Sequence, residues 1–164
     1  MARASYAIAI GSNRPGRHGS PEREVAAAIE ALGSVVAVAP VMRNAPLGPS
    51  LRRYANTVAL VESALSPPEM LARCKAIERQ FGRRRGRRWG SRVLDLDLVL
   101  WSGGSWAGAG LVVPHAAFRS RDFVLTPLAQ LVPEWRDPVS GLSIRQLAHR
   151  LRRARAVDRA APAS

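Results

Sequence analysis

The clearest strand in the sequence is Val93–Trp101, in which alternate positions are leucine. Successive side chains of a β-strand point to opposite faces of a sheet, so one face of this strand is predicted to be the core face. That face carries four leucines: Leu94, Leu96, Leu98 and Leu100. The other face carries two carboxylates, Asp95 and Asp97, about 7 Å apart at the usual strand rise. Such a strand needs a sheet that buries the leucine face and has cations near the acidic face.

Strand and helix patterns alternate along the rest of the chain. Apolar and β-branched runs predict further strands at Ser5–Ile10, Ser34–Val41, Asn56–Val61 and Leu111–Val113. Apolar spacing predicts helices at Pro21–Leu32, Pro67–Phe81, Phe123–Leu131 and Leu142–Arg155. Ser20 and Ser66, each followed by proline, are the predicted N-caps of the first two helices. We predict one α+β domain over residues 1–155, with a mostly antiparallel sheet and helices packed on it, and a flexible tail over residues 156–164.

The charge of the chain is strongly positive. Twenty-five lysine and arginine residues oppose 12 acidic ones, which gives a net charge of +13. Such a surface attracts polyanions, namely nucleic acid, nucleotides or phosphorylated metabolites. A base composition that favours arginine codons accounts for the excess equally well, so the charge suggests a phosphate-bearing partner without choosing one.

The single cysteine and the lengths of the apolar runs exclude several classes of protein. Cys74 alone cannot form an internal disulfide or a multi-cysteine zinc site, and we predict that it is a small buried core residue. No apolar run approaches the ~20 residues of a membrane span. The N-terminus lacks the pattern of a signal peptide. We therefore expect a soluble, cytoplasmic protein.

The segment before the acidic strand is rich in glycine and arginine. It contains six arginines: Arg83, Arg84, Arg85, Arg87, Arg88 and Arg92. Guanidinium groups match phosphate oxygens in a bidentate geometry, and carboxylates on a rigid strand suit Mg²⁺. Gly82 and Gly86 would let the segment close over a nucleotide. Together these features predict a phosphoryl-transfer site; the alternative is an edge strand whose two aspartates simply face water.

Weaker signals accompany this site, and each is also typical of ordinary structure. Gly11-Ser12-Asn13 follows the first strand and would be a phosphate-contacting turn. His115 lies near two arginines, Arg119 and Arg121, and would donate to phosphate.

Aromatic and polar neighbours provide a second group of weak signals. Asn56 and the adjacent Tyr54 would bind the edge and the face of a heterocycle. His18 and His149 are predicted to be solvated.

The stretch Arg88–Asp97 closely resembles the signature of the 6-hydroxymethyl-7,8-dihydropterin pyrophosphokinase (HPPK) family of folate biosynthesis. Further similar motifs follow the same order over nearly the whole chain: Ile8–Asn13, Pro46–Pro49, Tyr54–Asn56, Val113–His115, and Arg119, Arg121 and Phe123. The resemblance implies a three-layer α-β-α domain with a ferredoxin-like core. It also implies transfer of the pyrophosphoryl group of MgATP to the hydroxymethyl oxygen of the pterin, with release of AMP.

The resemblance also implies roles for individual residues. Asp95 and Asp97 would hold two Mg²⁺ ions, and Asp97 would act in catalysis together with Arg83 and Arg92. The implied nucleotide contacts are Lys75, Glu78, Arg85, Trp89, Arg92, Leu98, His115 and Arg121. The implied pterin contacts are Asn44, Leu47, Tyr54, Asn56, Trp89 and Phe123. ATP and a pterin are then the expected partners, and neither nucleic acid nor membrane is expected to bind what we predict to be a monomer.

The sequence departs from the family pattern at positions outside the aspartate pair. Ser91 stands where the signature usually has proline, and Gly110 and Val112 lack polar side chains that some relatives direct at ATP. These differences bear on nucleotide affinity rather than on reaction type.

The alternative from another class is a small ferredoxin-like RNA-binding module, which the charge of +13 favours. The acidic pair and the aromatic content of only 5% argue against it.

Overall fold

The computed structural model describes residues 2–44, 54–82, 92–108 and 110–160. In chain order its strands are β1 (Ala4–Ser12), β2 (Val35–Val38), β3 (Met42–Asn44), β4 (Tyr54–Ser63), β5 (Asp95–Trp101), β6 (Trp106–Gly108) and β7 (Leu111–Val113). Its helices are α1 (Pro21–Leu32), α2 (Pro67–Gln80), α3 (Asp122–Leu131) and α4 (Ile144–Ala160), with a short 3₁₀ turn at Phe118–Ser120.

The main sheet has the strand order β2-β4-β1-β5, with β3 also paired to β4, and each of these pairings is antiparallel. With α1 after β1 and α2 after β4, this order is that of a ferredoxin-like core. One face of the sheet packs against α1 and α2, and the other packs against α3 and α4. The structure therefore confirms the predicted three-layer α-β-α domain and its mostly antiparallel sheet.

Both faces of the sheet are buried because adjacent residues of β1 supply side chains to opposite cores. Tyr6, Ile8 and Ile10 pack with α1 and α2. Ala7, between two of them, packs with α3 and α4. Helices thus cover both sides of the sheet.

The two predicted helix starts are confirmed by their caps. The Ser20 hydroxyl accepts a hydrogen bond from the Arg23 amide, and α1 has the predicted bounds. Ser66 forms a full capping box with Glu69, since each side chain accepts from the backbone amide of the other. Local hydrogen bonds of this kind are readable from sequence.

Two other boundaries differ from the prediction. The predicted strand over Ser34–Val41 is shorter, and β3 follows separately, because Pro40 has no amide to donate to a sheet. The last helix reaches Ala160, past the predicted end at Arg155. The tail over residues 156–164 stays a prediction, and residues 161–164 lie outside the described residues.

Leu100 does not belong to the predicted leucine face, and a β-bulge is the reason. Leu98 lies opposite Ile8 and Leu100 lies opposite Ala7, so Val99 is an extra residue on β5. Val99 and Leu100 pack with α3 and α4, whereas Leu98 packs with α1 and α2. The predicted alternation holds only up to the bulge.

Cys74 is fully buried in the core between the sheet and α2, as predicted. Burial raises the pKa of its thiol to about 12, so the side chain behaves as an apolar residue. Among the residues that the structure describes, every helix is too short or too polar to cross a lipid bilayer.

Candidate functional site

Polar side chains line one row across three strands of the sheet. Asp95 on β5 lies opposite Gly11 on β1, which in turn lies opposite Asn56 on β4. Directly opposed residues of antiparallel strands project from the same face, and so does Asp97, whose partner on β1 is Ala9. A glycine and an alanine therefore separate the carboxylates from the amide. The row thus places two carboxylates and an amide on the side of the sheet that carries α3.

The space above Gly11 is limited by Asn56. A Cβ atom at position 11 would lie 2.8 Å from the Asn56 Oδ1 atom, which is closer than real contacts allow. Glycine at this position thus leaves room for the amide group to sit over the strand. This observation explains the Gly in the Gly11–Asn13 motif without any phosphate contact.

The two carboxylates have different surroundings. Arg92 Nη1 donates to Asp95 Oδ1 at 3.2 Å, and both side chains are partly exposed. Asp97 lies deeper, and burial, followed by the charge of Asp95, raises its pKa. His115, Arg121 and Arg92 lower it in part. Because burial is the largest cause, keeping Asp97 ionised is costly in this site, and a divalent cation beside it would lower that cost.

His115 is held beside Asp97 by the bulge. Its amide donates to the carbonyl of the extra residue, Val99, at 3.0 Å. Its Nδ1 accepts from the Ala117 amide at 3.2 Å, so the neutral ring carries its proton on Nε2. The Nε2 atom lies 3.9 Å from Asp97 Oδ1. A donor is thereby placed beside the Asp97 carboxylate.

Two aromatic residues belong to the same side of the sheet. Tyr54 begins β4 two residues before Asn56, and 38% of it is exposed. Phe123 lies in the first turn of α3 and is partly buried against the core between the sheet and helices α3 and α4. The Arg121 guanidinium lies 5.7 Å from its ring centroid. An exposed ring and a half-buried ring on the side of the sheet that carries the Asn56 amide are suitable for a flat heterocycle.

The structure does not bring all of the implied site residues together. Lys75 is exposed and Glu78 is buried on α2, and Leu98 is buried beneath that helix. These three therefore lie on the opposite side of the sheet from Asp97. The implied residues outside the described ones are Leu47, Arg83, Arg85 and Trp89, together with the side chain of Asn44.

Arg119, one of the two arginines near His115, is held by an ion pair. Its Nε and Nη2 atoms each lie 2.6 Å from an oxygen of Asp137, a side chain with no exposed surface. The guanidinium also lies 4.6 Å from the Phe118 ring centroid. Asp137 further accepts from Ser140 Oγ and from the Val139 amide. Sequence reasoning missed this aspartate, although the Asp-Pro-Val-Ser-Gly run that it begins is a turn signature.

The Gly11–Asn13 motif and His18 also differ from expectation. Ser12 is buried and its hydroxyl donates to the Arg14 carbonyl, so it faces no phosphate. The Asn13 side chain accepts from the Arg92 amide at 2.7 Å. His18 is not simply solvated, because it contacts the buried Glu24 and stacks on another ring.

Among the described residues, no three histidine, cysteine or acidic side chains are grouped as a complete set of metal ligands. A cation at Asp95 and Asp97 would complete its shell with water and phosphate oxygens. Mg²⁺ typically binds in this way, so the donor set fits it.

Comparisons with known proteins point in one direction. A family model described as 7,8-dihydro-6-hydroxymethylpterin-pyrophosphokinase (HPPK) matches residues 7–133. A protein of Pseudomonas aeruginosa named 2-amino-4-hydroxy-6-hydroxymethyldihydropteridine pyrophosphokinase is 39% identical over 137 residues, which cover 80% of this chain and 82% of the relative. A protein of Synechocystis with the same name is 44% identical over 105 residues. That match covers 64% of this chain and only 54% of the relative.

Solved structures share the fold. A crystal structure of HPPK-DHPS in complex with substrates has a TM-score of 0.72 at 10% identity, and the match covers 94% of this chain and 44% of that chain. A Plasmodium falciparum HPPK-DHPS structure also has a TM-score of 0.72, at 12% identity, over 91% of this chain and 45% of its own. At such low identity the likeness concerns the fold alone, and this chain spans less than half of those longer proteins.

Proposed function

Because the chain belongs to the 7,8-dihydro-6-hydroxymethylpterin-pyrophosphokinase family, we propose that it transfers the pyrophosphoryl group of MgATP to the hydroxymethyl oxygen of the pterin and releases AMP. The observation that carries the proposal is one face of the sheet. There Asp95 and Asp97 lie beside the cations Arg92 and, when protonated, His115, and share a row of the sheet with Asn56.

Asp95 and Asp97 would hold two Mg²⁺ ions. Bound there, the ions would offset the charge of the triphosphate and of the aspartates and orient the phosphates. The raised pKa of Asp97 supports this role, because a carboxyl group that is costly to ionise beside another carboxylate gains most from a nearby cation.

The row across the sheet would separate the two ends of the pterin. Asn56 and Asp95 are two strands apart, about 10 Å between their backbones at the usual strand spacing. In the proposed complex Asn56 binds the amide edge of the ring, and Tyr54 and Phe123 stack on its faces. The hydroxymethyl group then points toward β5 and the phosphates. Asn44, Leu47 and Trp89 would line the rest of this pocket.

The proposed step is an in-line displacement. The hydroxymethyl oxygen attacks the β-phosphorus and its proton passes to solvent, while the bond from that phosphorus to the α–β bridging oxygen breaks and AMP leaves with that oxygen. Arg92 and Arg83 stabilise the charge that develops on the transferring group, and the Nε2 proton of His115 is donated to a phosphate oxygen. Arg85 and Arg121 are also proposed to contact the nucleotide, whereas Lys75, Glu78 and Leu98, on the opposite side of the sheet from Asp97, stay contacts that the family resemblance alone implies.

Replacing either aspartate tests the proposal. Asp95→Ala and Asp97→Ala should each lower the rate of AMP formation from ATP and the pterin by at least about a hundred-fold, because each removes a charge that organises the phosphates. Circular dichroism should show an unchanged fold. Asp158→Ala, at an exposed position of α4, is the matched control and should keep normal turnover.

A binding measurement complements the kinetics. Calorimetry with a non-hydrolysable ATP analogue should show binding in Mg²⁺ and its loss when Mg²⁺ is chelated. Near-normal turnover of either aspartate variant, or equal binding with and without the metal, would contradict the proposed metal site.

A further inference from the structure

The segment of residues 13–20 contacts both ends of the arginine-rich stretch of the sequence. This segment, called the clasp below, joins β1 to α1. On the side of β5, the Asn13 side chain accepts from the Arg92 amide at 2.7 Å, and the Asn13 amide donates to the Arg92 carbonyl at 3.2 Å. Both backbone groups of Arg92 are thus bound by a single residue that is 79 positions away.

The clasp also contacts the end of α2. The guanidinium of Arg17 donates to the Gln80 carbonyl at 3.1 Å. The His18 ring lies 4.7 Å from the Phe81 ring, centroid to centroid. Gln80 and Phe81 precede residues 83–91, which contain the other five arginines, and Arg92 follows them. The clasp therefore ties the two flanks of residues 83–91 to each other.

A buried carboxylate anchors the clasp. Glu24 on α1 has no exposed surface, and its Oε1 accepts from the His18 amide at 2.7 Å. Its Oε2 lies 2.9 Å from His18 Nδ1. A Cβ at Gly16 would lie 2.6 Å from the Val93 side chain and 2.7 Å from the carboxylate, so the backbone there is packed between α1 and the start of β5.

The position of Arg92 depends on these contacts because it precedes β5. The pairing of β5 with β1 begins at Asp95 and Gly11, so no sheet hydrogen bond holds the Arg92 backbone. Its guanidinium nevertheless donates to Asp95. Among the described residues, Asn13 therefore fixes the position of the backbone from which the Arg92 side chain extends.

We infer that Asn13 is a positioning residue for the pyrophosphoryl transfer. It holds the Arg92 backbone, and through it the guanidinium beside Asp95, while the His18–Glu24 anchor holds the clasp. The inference rests on the proposed function, because the position of Arg92 matters for turnover only if the chain is the proposed transferase.

A double-mutant cycle tests the inference. Asn13→Ala should lower kcat about ten- to a hundred-fold with a much smaller change in the KM for MgATP, because misplacing a catalytic group weakens mainly the transition state. In the Arg92→Ala background the same substitution should change kcat by less than about two-fold, since the residue it positions is gone. Effects that multiply would overturn the inference. Should Asn13→Ala not fold, Asn13→Ser takes its place.

Arg73→Ala is the matched control. The Arg73 guanidinium donates to two backbone carbonyls at the end of α1, away from Asp95, at 2.9 and 3.2 Å. Losing these bonds should lower the melting temperature and leave kcat unchanged. A kcat loss as large as that of Asn13→Ala would show a general effect of destabilisation and would contradict positioning.

A readout without turnover separates this inference from the proposed function. In the nuclear magnetic resonance spectrum, Asn13→Ala should speed exchange of the Arg92 backbone amide and shift the Arg92 Nε resonance, whereas Arg73→Ala should do neither. Unchanged Arg92 signals in Asn13→Ala would overturn the inference even in an active enzyme. Absence of turnover in the unmodified chain would overturn the proposed function, and these signals would still decide whether Asn13 holds Arg92 in place.

Discussion

At the scale of single residues, folding and the proposed chemistry make opposite demands on Asp97. Burial and the neighbouring charge of Asp95 raise its pKa, so the folded state favours the neutral carboxyl. The stability that this group contributes is complete below its unfolded pKa and is lost as pH rises through the folded pKa. At neutral pH the ionised Asp97 therefore costs folding free energy, which metal binding would offset.

Asp97→Asn should accordingly stabilise the unliganded protein while abolishing transfer. Because a third of the side chain is exposed to screening solvent, the gain at pH 7 should be at most about 1 kcal/mol, or about 2–4 °C in melting temperature. Thermal unfolding across pH measures it, and the gain should vanish below the unfolded pKa, about 3.9. A variant less stable than the parent at pH 7 would contradict this reading of the site.

At the scale of elements, the features that the sequence predicted are those determined by residues close together in the chain. Ser20 and Ser66 bond to amides three positions away, so their helices begin where predicted. The alternation that places Asp95 and Asp97 on one face is equally local. These features settled the strand and the acidic pair without knowledge of the topology.

Contacts between distant residues were not predictable in this way. Asn13 meets Arg92 only because β1 and β5 are neighbours in the sheet, an order that periodicity leaves open. The ion pair of Arg119 was not predicted because its partner, Asp137, lies 18 positions later and beyond α3. The bulge at Val99 likewise depends on how two strands fit and leaves no pattern in either one.

The anchor of the clasp leads to a prediction for α1. Glu24→Ala should cost about 2–4 kcal/mol of unfolding free energy, because it removes a fully buried side chain, opens a cavity and takes away the acceptor of the part-buried His18 amide. Glu30→Ala, at an exposed position of the same helix, should change stability by less than about 0.5 kcal/mol. Urea unfolding measures both. Equal losses in the two variants would show that the buried contacts of Glu24 contribute nothing.

At the scale of the whole molecule, the Arg119–Asp137 ion pair joins the layer formed by α3 and α4 to the candidate site. Arg119 adjoins the turn that follows His115, and Asp137 begins the loop that leads into α4. Hydrogen bonds from Arg119, Ser140 and the Val139 amide lower the pKa of Asp137 against the opposing effect of burial. The resulting stability is present above the unfolded pKa and is lost as pH falls through the folded pKa, opposite in sign to Asp97.

Asp137→Asn should therefore lower the unfolding free energy at pH 7 by about 3–5 kcal/mol, because Arg119 keeps its charge without its partner. The deficit should shrink as pH falls below about 4, where the parent begins to lose the same contribution. Chemical unfolding at pH 7 and pH 3 measures the difference, with Asp158→Asn as control. A deficit that grows in acid would contradict the assigned direction.

Val99, the extra residue in β5, marks a position at which the chain could lose one residue and keep its sheet. Without Val99, Ile8 and Ala7 would keep the same two leucines as partners, so the hydrogen bonding of the sheet would tolerate the loss. The carbonyl that holds the His115 amide would disappear with it. A one-residue deletion at this point would thus spare the architecture and detach a site histidine. The presence or absence of the extra residue in related chains should therefore divide active from inactive members more sharply than overall similarity does.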